Sequence, residues 1–327
     1  MKKFIGYGMA FVLIFFSFFS CEKGPSIPRA GSATVKDMLS LVPEDAMGVI
    51  FIDAHRAMAT EMVDKTIKES KDYQKYQEFI EKTGINPQED IYYVIVALEK
   101  RPEKKDPQGG AIVNMKYEKE TMLGLIKAKL TEEGQRLEEE DYNGTVLYYV
   151  VEKEEERDYL SFIDDSNILA GNEAVVKSIT DVIQKTKANV FKNEALSSLI
   201  DETNKQAMIW GAVTIPPETI GQAVSENPML KNLEAVRAAA MYFDYKNKNI
   251  VAEIKIMSSD ETKNKEVADL LNGFKAMGGI IAAKKPEIGE VINKIEITSS
   301  PDYVKIFASL PEELIQKIKE TAQEEKE

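Results

Sequence analysis

His55 is the only histidine in this 327-residue chain, and it stands close to Asp53 and Glu61. A histidine beside carboxylates suits general-base work or metal ligation. With no second histidine, and the lone cysteine far off at Cys21, a metal there would depend on carboxylates alone. The plainer reading is a solvent-facing residue at a strand-to-helix turn. No serine sits in a Gly-x-Ser-x-Gly elbow, so hydrolysis lacks its usual nucleophile signal. Gly6-Tyr7-Gly8 and Met277–Gly279 do not run on into Lys-Ser/Thr, so nucleotide binding has no phosphate loop to rest on. Glu138–Asp141, Glu152–Asp158 and Asp164-Asp165 offer the oxygen ligands calcium prefers, yet none has the spaced Asp/Asn and Gly of a calcium loop. They read as solvated strand ends, and Glu99–Lys105 reads as an exposed loop whose lysines are neutralised by glutamates. No catalytic set converges, and no cofactor or metal is called for. The sequence reads as non-enzymatic.

Cys21 carries the remaining chemistry. Lys2 and Lys3 precede a mostly apolar run over residues 4–19, then small Ser20 and Cys21. A positive start, an apolar core and a small residue before a cut form a secretory signal. The run is slightly short for a bilayer span, which needs roughly 20 residues. "SFFSC" at residues 17–21 resembles a bacterial lipoprotein signal, with Ser20 as the small residue before the cysteine. Phe18 and Phe19 stand where Leu and a small residue are usual. The resemblance implies removal of residues 1–20 and lipidation of Cys21. It also implies a place in the bacterial cell envelope, outside the cytoplasmic membrane. Residues 21–34 are rich in Pro, Gly, Ser and Ala and read as a flexible tether.

The charge balance narrows the partners. Forty-two basic residues face 55 acidic ones, a net charge of −13, and loss of residues 1–20 removes Lys2 and Lys3 but no acid. Such a chain repels phosphate backbones and anionic head groups, so nucleic acid is excluded and membrane contact falls to the lipid. With one cysteine no internal disulfide can form, and the fold must rest on core packing.

Stepping along the rest, periodicity alternates between strand and helix. Strands are expected at Ala46–Asp53, Ile91–Glu99 and Gly110–Tyr117, with a long helix from Ala57 to Lys82 and another from Glu118 to Thr131. Asn143-Gly144 signals a hairpin. Short strands at Tyr159–Ile163 and Ile168–Ala170 precede a helix bearing Val175, Ile179 and Val182. The order then repeats: a strand at Gln206–Ile215, a helix near Pro217 and a hairpin turning at Lys246–Asn249. A helix through Val267, Leu271 and Phe274 follows, with Ser258 and Glu261 as its capping box. A second hairpin, Glu290–Thr298 with Asp302–Ser309, leads to a closing helix near Pro311. This predicts an α+β fold of two similar halves, residues 35–190 and 191–327, each an antiparallel sheet covered on one face by helices. Their join should fall within Thr186 to Lys205.

"LVPEDAMGVIFID" at Leu41–Asp53 also resembles the opening of an uncharacterised family of bacterial envelope proteins, whose domain begins with a Leu-Pro-x-Asp-like turn running into a strand. That family implies no activity. Aromatics offer one more lead: Tyr92, Tyr93, Tyr148, Tyr149, Trp210, Tyr242 and Phe243 all fall on expected strands. Adjacent pairs point to opposite faces, so one member of each pair faces away from the helices. On an open face they would line a groove for an apolar ligand; packing between the halves is the plainer account. The expected function is binding or scaffolding by a lipid-anchored body, with a protein or an apolar ligand as partner. A carrier of an apolar ligand, held in a groove between the halves, is the alternative.

Overall fold

The computed structural model describes residues 31, 33–100, 107–150, 157–282 and 286–324. Cys21 and the apolar run before it lie outside the described residues. The chain divides into two compact units, Met1–Asn193 and Glu194–Glu327. Both are α+β and built on antiparallel strands.

In the first unit, β1 (Gly48–Asp53), β2 (Ile91–Glu99) and β3 (Gln108–Met115) are followed by β4 (Leu137–Tyr142), β5 (Thr145–Val150), β6 (Asp158–Phe162) and β7 (Asn167–Asn172). They lie in the order β1-β2-β3-β7-β6-β5-β4. β2 is rich in β-branched and aromatic residues, which suit a pleated, half-buried surface. Asn143 and Gly144, with φ of 53° and 83°, make the tight β4–β5 turn that their sequence demands.

One face of this sheet is sealed. α7 (Glu173–Ile183) buries Val175, Val176 and Ile179 against it. A Cβ on Gly110 would stand 2.8 Å from Val175, so glycine lets the helix come this close. On the other face α4 (Tyr73–Thr83) and α6 (Lys119–Glu132) cover the β3–β7–β6–β5 side, where Phe79, Met122 and Leu123 pack on Leu160, Ile168 and Tyr148. Helices thus sit on both faces of this sheet.

The second unit carries β8 (Ile209–Thr214), β9 (Val236–Lys246), β10 (Asn249–Ser258), β11 (Ile295–Ser299) and β12 (Val304–Pro311), in the order β11-β12-β10-β9-β8. α8 (Glu194–Asp201) packs along β8 and β9 and buries Leu196 and Ile200. α10 (Glu261–Ile281) crosses the other face, setting Val267, Ala268 and Leu271 on Ile256, Val304 and Ile297.

Three local expectations need correction. The long helix expected over residues 57–82 is three: α2 (Ala54–Met58), α3 (Glu61–Lys68) and α4. Thr60 starts the second, its hydroxyl accepting from the Val63 amide at 3.3 Å, and a Ser70–Asp72 turn parts the third. The cap of α10 is Asp260, which accepts from the Lys263 amide at 3.0 Å, and not Ser258. Glu290 belongs to a helix, α11 (Pro286–Asn293), so β11 begins only at Ile295. The boundary between the two units, after Asn193, falls within the expected Thr186–Lys205 stretch, which also holds α8.

Candidate apolar binding face

The second sheet has one continuous apolar face, set by its register. Ile254 on β10 lies opposite Met241 on β9 and Ile306 on β12. Two residues along, Ala252 lies opposite Phe243 and Ala308; two further, Ile250 lies opposite Tyr245 and Leu310. Residues two apart share a face, so all of these project to one side. It is the side on which α10 rests, because Ile256 and Val304 continue the same rows.

α10 covers the Ile256–Val304 end of that face, α11 packs on α10 and β11, and the closing helix Glu312–Glu324 packs on α11 and β12. There Val304 on the sheet and Val267 on the helix are fully buried, whereas Met241 and Ile254, paired across β9 and β10, are 39% and 38% exposed. The rows beyond remain half-buried. The opposite face of the same sheet differs: Trp210 is 0% exposed, beside half-buried Tyr242, its partner across β8 and β9. Lys255, on that side, binds Glu202 just past α8 at 2.8 Å. The first unit repeats the contrast in milder form. Ile50 pairs with Val96 and Ile52 with Val94, and these four stay half-buried beside the region that α4 and α6 cover.

The seven aromatics named from sequence are placed as follows. Tyr92 stacks on His55 with centroids 5.5 Å apart, and Tyr93 stacks on Phe51 at 5.6 Å. Tyr148 is buried in the α4–α6 core, while Tyr149 packs against Tyr159 at 5.3 Å under the Arg157 guanidinium. Trp210 and Tyr242 share one face of the second sheet, and Phe243 alone of the seven lies on its half-open apolar face. Burial raises the Tyr242 phenol, reinforced by the Glu253 and Asp244 carboxylates, and burial followed by Asp53 does the same to Tyr93. A tyrosine so held is a neutral wall, not an acid or base near neutral pH.

Around His55 the geometry is that of a turn. Its ring is exposed on α2, and Asp53 spends a carboxylate oxygen on the Arg56 amide at 3.0 Å as the helix cap. Among the described residues no three His, Cys, Asp or Glu side chains gather closely enough to share a metal ion. The half-open face therefore offers area and not reactivity. Covering one apolar side chain of Leu or Ile size stabilises a complex by roughly 1.5–3 kcal/mol at most.

Sequence reasoning missed Met241, Ile254 and Ile306. The alternation of Ile250, Ala252, Ile254 and Ile256 identifies a shared face, but alternation cannot tell how far along a strand the covering helix extends. β9 carried a usable sign: Ala238 and Ala240 alternate with Ala239 and Met241, so both of its faces are apolar although only one is sealed.

No protein-family model and no curated protein matches this sequence. Solved structures of TP0453 are similar at low identity. Crystal form III is 9% identical, covering 87% of this chain and 97% of that one, with a TM-score of 0.47. Crystal form I is 12% identical over 86% and 96%, with a TM-score of 0.44. Crystal form IV is 10% identical over 88% and 98%, with a TM-score of 0.43. Likeness of this degree carries no argument about function. Among the described residues no helix is long and apolar enough to cross a membrane.

Proposed function

We propose that this protein is a non-enzymatic binding protein of the bacterial cell envelope, anchored through lipid on Cys21, and that its second unit holds an apolar ligand on the half-open face of β9, β10 and β12. One observation carries the ligand: Met241 and Ile254 are exposed neighbours on a sheet face that is otherwise apolar from edge to edge. Exposed apolar area that is contiguous, not scattered, marks an interaction surface. The anchor rests on the resemblance of residues 17–21 to a lipoprotein signal.

Native mass spectrometry and organic extraction of the purified full chain test the ligand. The expected result is co-purifying apolar material, lost when Ile254→Glu sets a charge on the face while circular dichroism stays unchanged. A chain that purifies empty, and that leaves an environment-sensitive dye such as 1-anilinonaphthalene-8-sulfonate dark, overturns the carrier reading and leaves scaffolding. For the anchor, globomycin should accumulate the precursor, and Cys21→Ala should shift the protein from the membrane fraction to the soluble one. Unchanged fractionation in both cases defeats it.

A further inference from the structure

Asparagine followed by glycine is the pairing at which a main-chain nitrogen most readily reaches a side-chain amide carbon, since glycine carries no Cβ to block it. The chain has two such pairs, Asn143-Gly144 and Asn272-Gly273, and the fold treats them in opposite ways. Asn272 lies inside α10, where its Nδ2 donates to the Ala268 oxygen at 3.0 Å. Helical hydrogen bonding also engages the Gly273 amide with the turn before it. Asn143 and Gly144 are the two exposed residues of the β4–β5 turn, with φ of 53° and 83°. The Gly144 amide donates to the Asp141 carboxylate at 3.0 Å, a side-chain partner that one rotamer change removes.

The turn is also a clasp, because it ties β4, the outermost strand of its sheet, to α7. Asp181 of α7 accepts from the Tyr142 hydroxyl at 3.2 Å and from Asn143 Nδ2 at 3.4 Å. Gln184, which closes that helix, donates to the Asn143 main-chain oxygen at 2.6 Å and to the Thr145 hydroxyl at 2.9 Å. A neutral amide suits a turn that already carries the Asp141 and Asp181 carboxylates. A third carboxylate there would meet like charge.

We propose that Asn143 is a site of spontaneous deamidation, with water as the reagent, and that the product loosens the edge hairpin from α7. The Gly144 nitrogen bonds to the Asn143 side-chain carbon, and Nδ2 departs as ammonia, taking the Gly144 amide hydrogen with it. Water then opens the cyclic imide at either carbonyl to give aspartate or isoaspartate. Water is taken up, ammonia is lost and no electrons are exchanged. Either product puts an acid where a donor faced Asp181, and isoaspartate adds a main-chain methylene to a turn of fixed two-residue geometry.

Peptide mapping by mass spectrometry of the full chain, stored at mildly alkaline pH, tests the site, with the chain unfolded in urea as reference. Folded, Asn143 should convert about tenfold faster than Asn272, a barrier difference of roughly 1.4 kcal/mol. Unfolded, the two should convert alike. Asn143→Asp, which copies one product, should lower the melting temperature by about 2–4 °C, and by less in high salt. Asn143→Gly, which keeps the left-handed turn without a charge, should resist conversion and melt close to the parent chain. Equal conversion of both asparagines in the folded chain, or none at Asn143, overturns the site. An Asn143→Asp chain that melts like the parent, or whose loss is the same at every salt concentration, overturns the like-charge loosening.

Discussion

One side chain and one missing side chain set the demands at the residue scale. Gly171 in β7 has φ of 151°, and a Cβ there would come within 2.4 Å of the Gly109 oxygen and 2.5 Å of the Gly110 Cα on β3. Backbone cannot yield as a flexible side-chain tip does, so Gly171→Ala should destabilise the first unit by more than about 2 kcal/mol, seen as a lower midpoint in urea. Tyr117 presses its ring on Phe162 and donates its hydroxyl to the main-chain oxygen of Asp164. Burial, then the charges of Asp164 and Asp165, raise its phenol well above the ordinary value of about 10. The native state therefore keeps a proton that the unfolded chain releases first. That contribution is whole below about pH 10 and declines as pH climbs beyond it. Thermal melts from about pH 8 to about pH 11 should show the decline, and Tyr117→Phe should flatten it; an unchanged slope would mean that other tyrosines dominate.

At the scale of elements, the join between α10 and the strands it serves depends on one buried amide. Asn264 accepts from the Ser258 amide at 3.0 Å and donates to the oxygens of Pro301 at 2.8 Å and Ser300 at 3.4 Å. It thus ties the first turn of α10 to the end of β10 and to the β11–β12 turn. Asn264→Ala strips the Ser258 amide and two main-chain oxygens of their partner and should cost about 2 kcal/mol, while Asn264→Asp, which keeps the acceptor but sets a buried carboxylate against the Ser300 and Pro301 oxygens, should cost at least as much. Both are readable as shifts in melting temperature. Elements of this kind were legible to different degrees. β2 emerged at Ile91–Glu99 as read, because β-branched and aromatic residues fill Ile91 to Val96 without interruption. The breaks within residues 54–83 were not, since the polar side chains that cap α3 look the same on a continuous helical surface. Asp260 was passed over for Ser258 because sequence shows which residues are able to cap, while the backbone decides which one stands at the helix start.

For the whole molecule, the legible part was its class: antiparallel sheets with helices, in a strongly acidic chain. The half-open face was not legible, since it depends on where α10 stops covering the sheet, a matter of tertiary packing. Charge makes its own prediction at this scale. Without residues 1–20 the chain should show no affinity for DNA or for phosphatidylglycerol vesicles at about 0.1 M salt, checked by co-sedimentation. Retention on either would mean that a local basic surface overrides the net charge.

Gly31 donates its amide to Asn114 at 3.1 Å and lies against the Tyr92 ring, three residues ahead of the capping residue Thr34. For a chain held by lipid at Cys21, that contact is a mooring point. With such an anchor, the leash of ten residues from Cys21 to Gly31 could span at most about 35 Å. A lipid on Cys21 would then confine the first unit to a thin shell of space next to the bilayer, and a pull on such an anchor would reach Asn114 on β3 through Gly31. Lengthening the leash would enlarge that shell; substituting Asn114 would slip the mooring and move the load to the next contact inward.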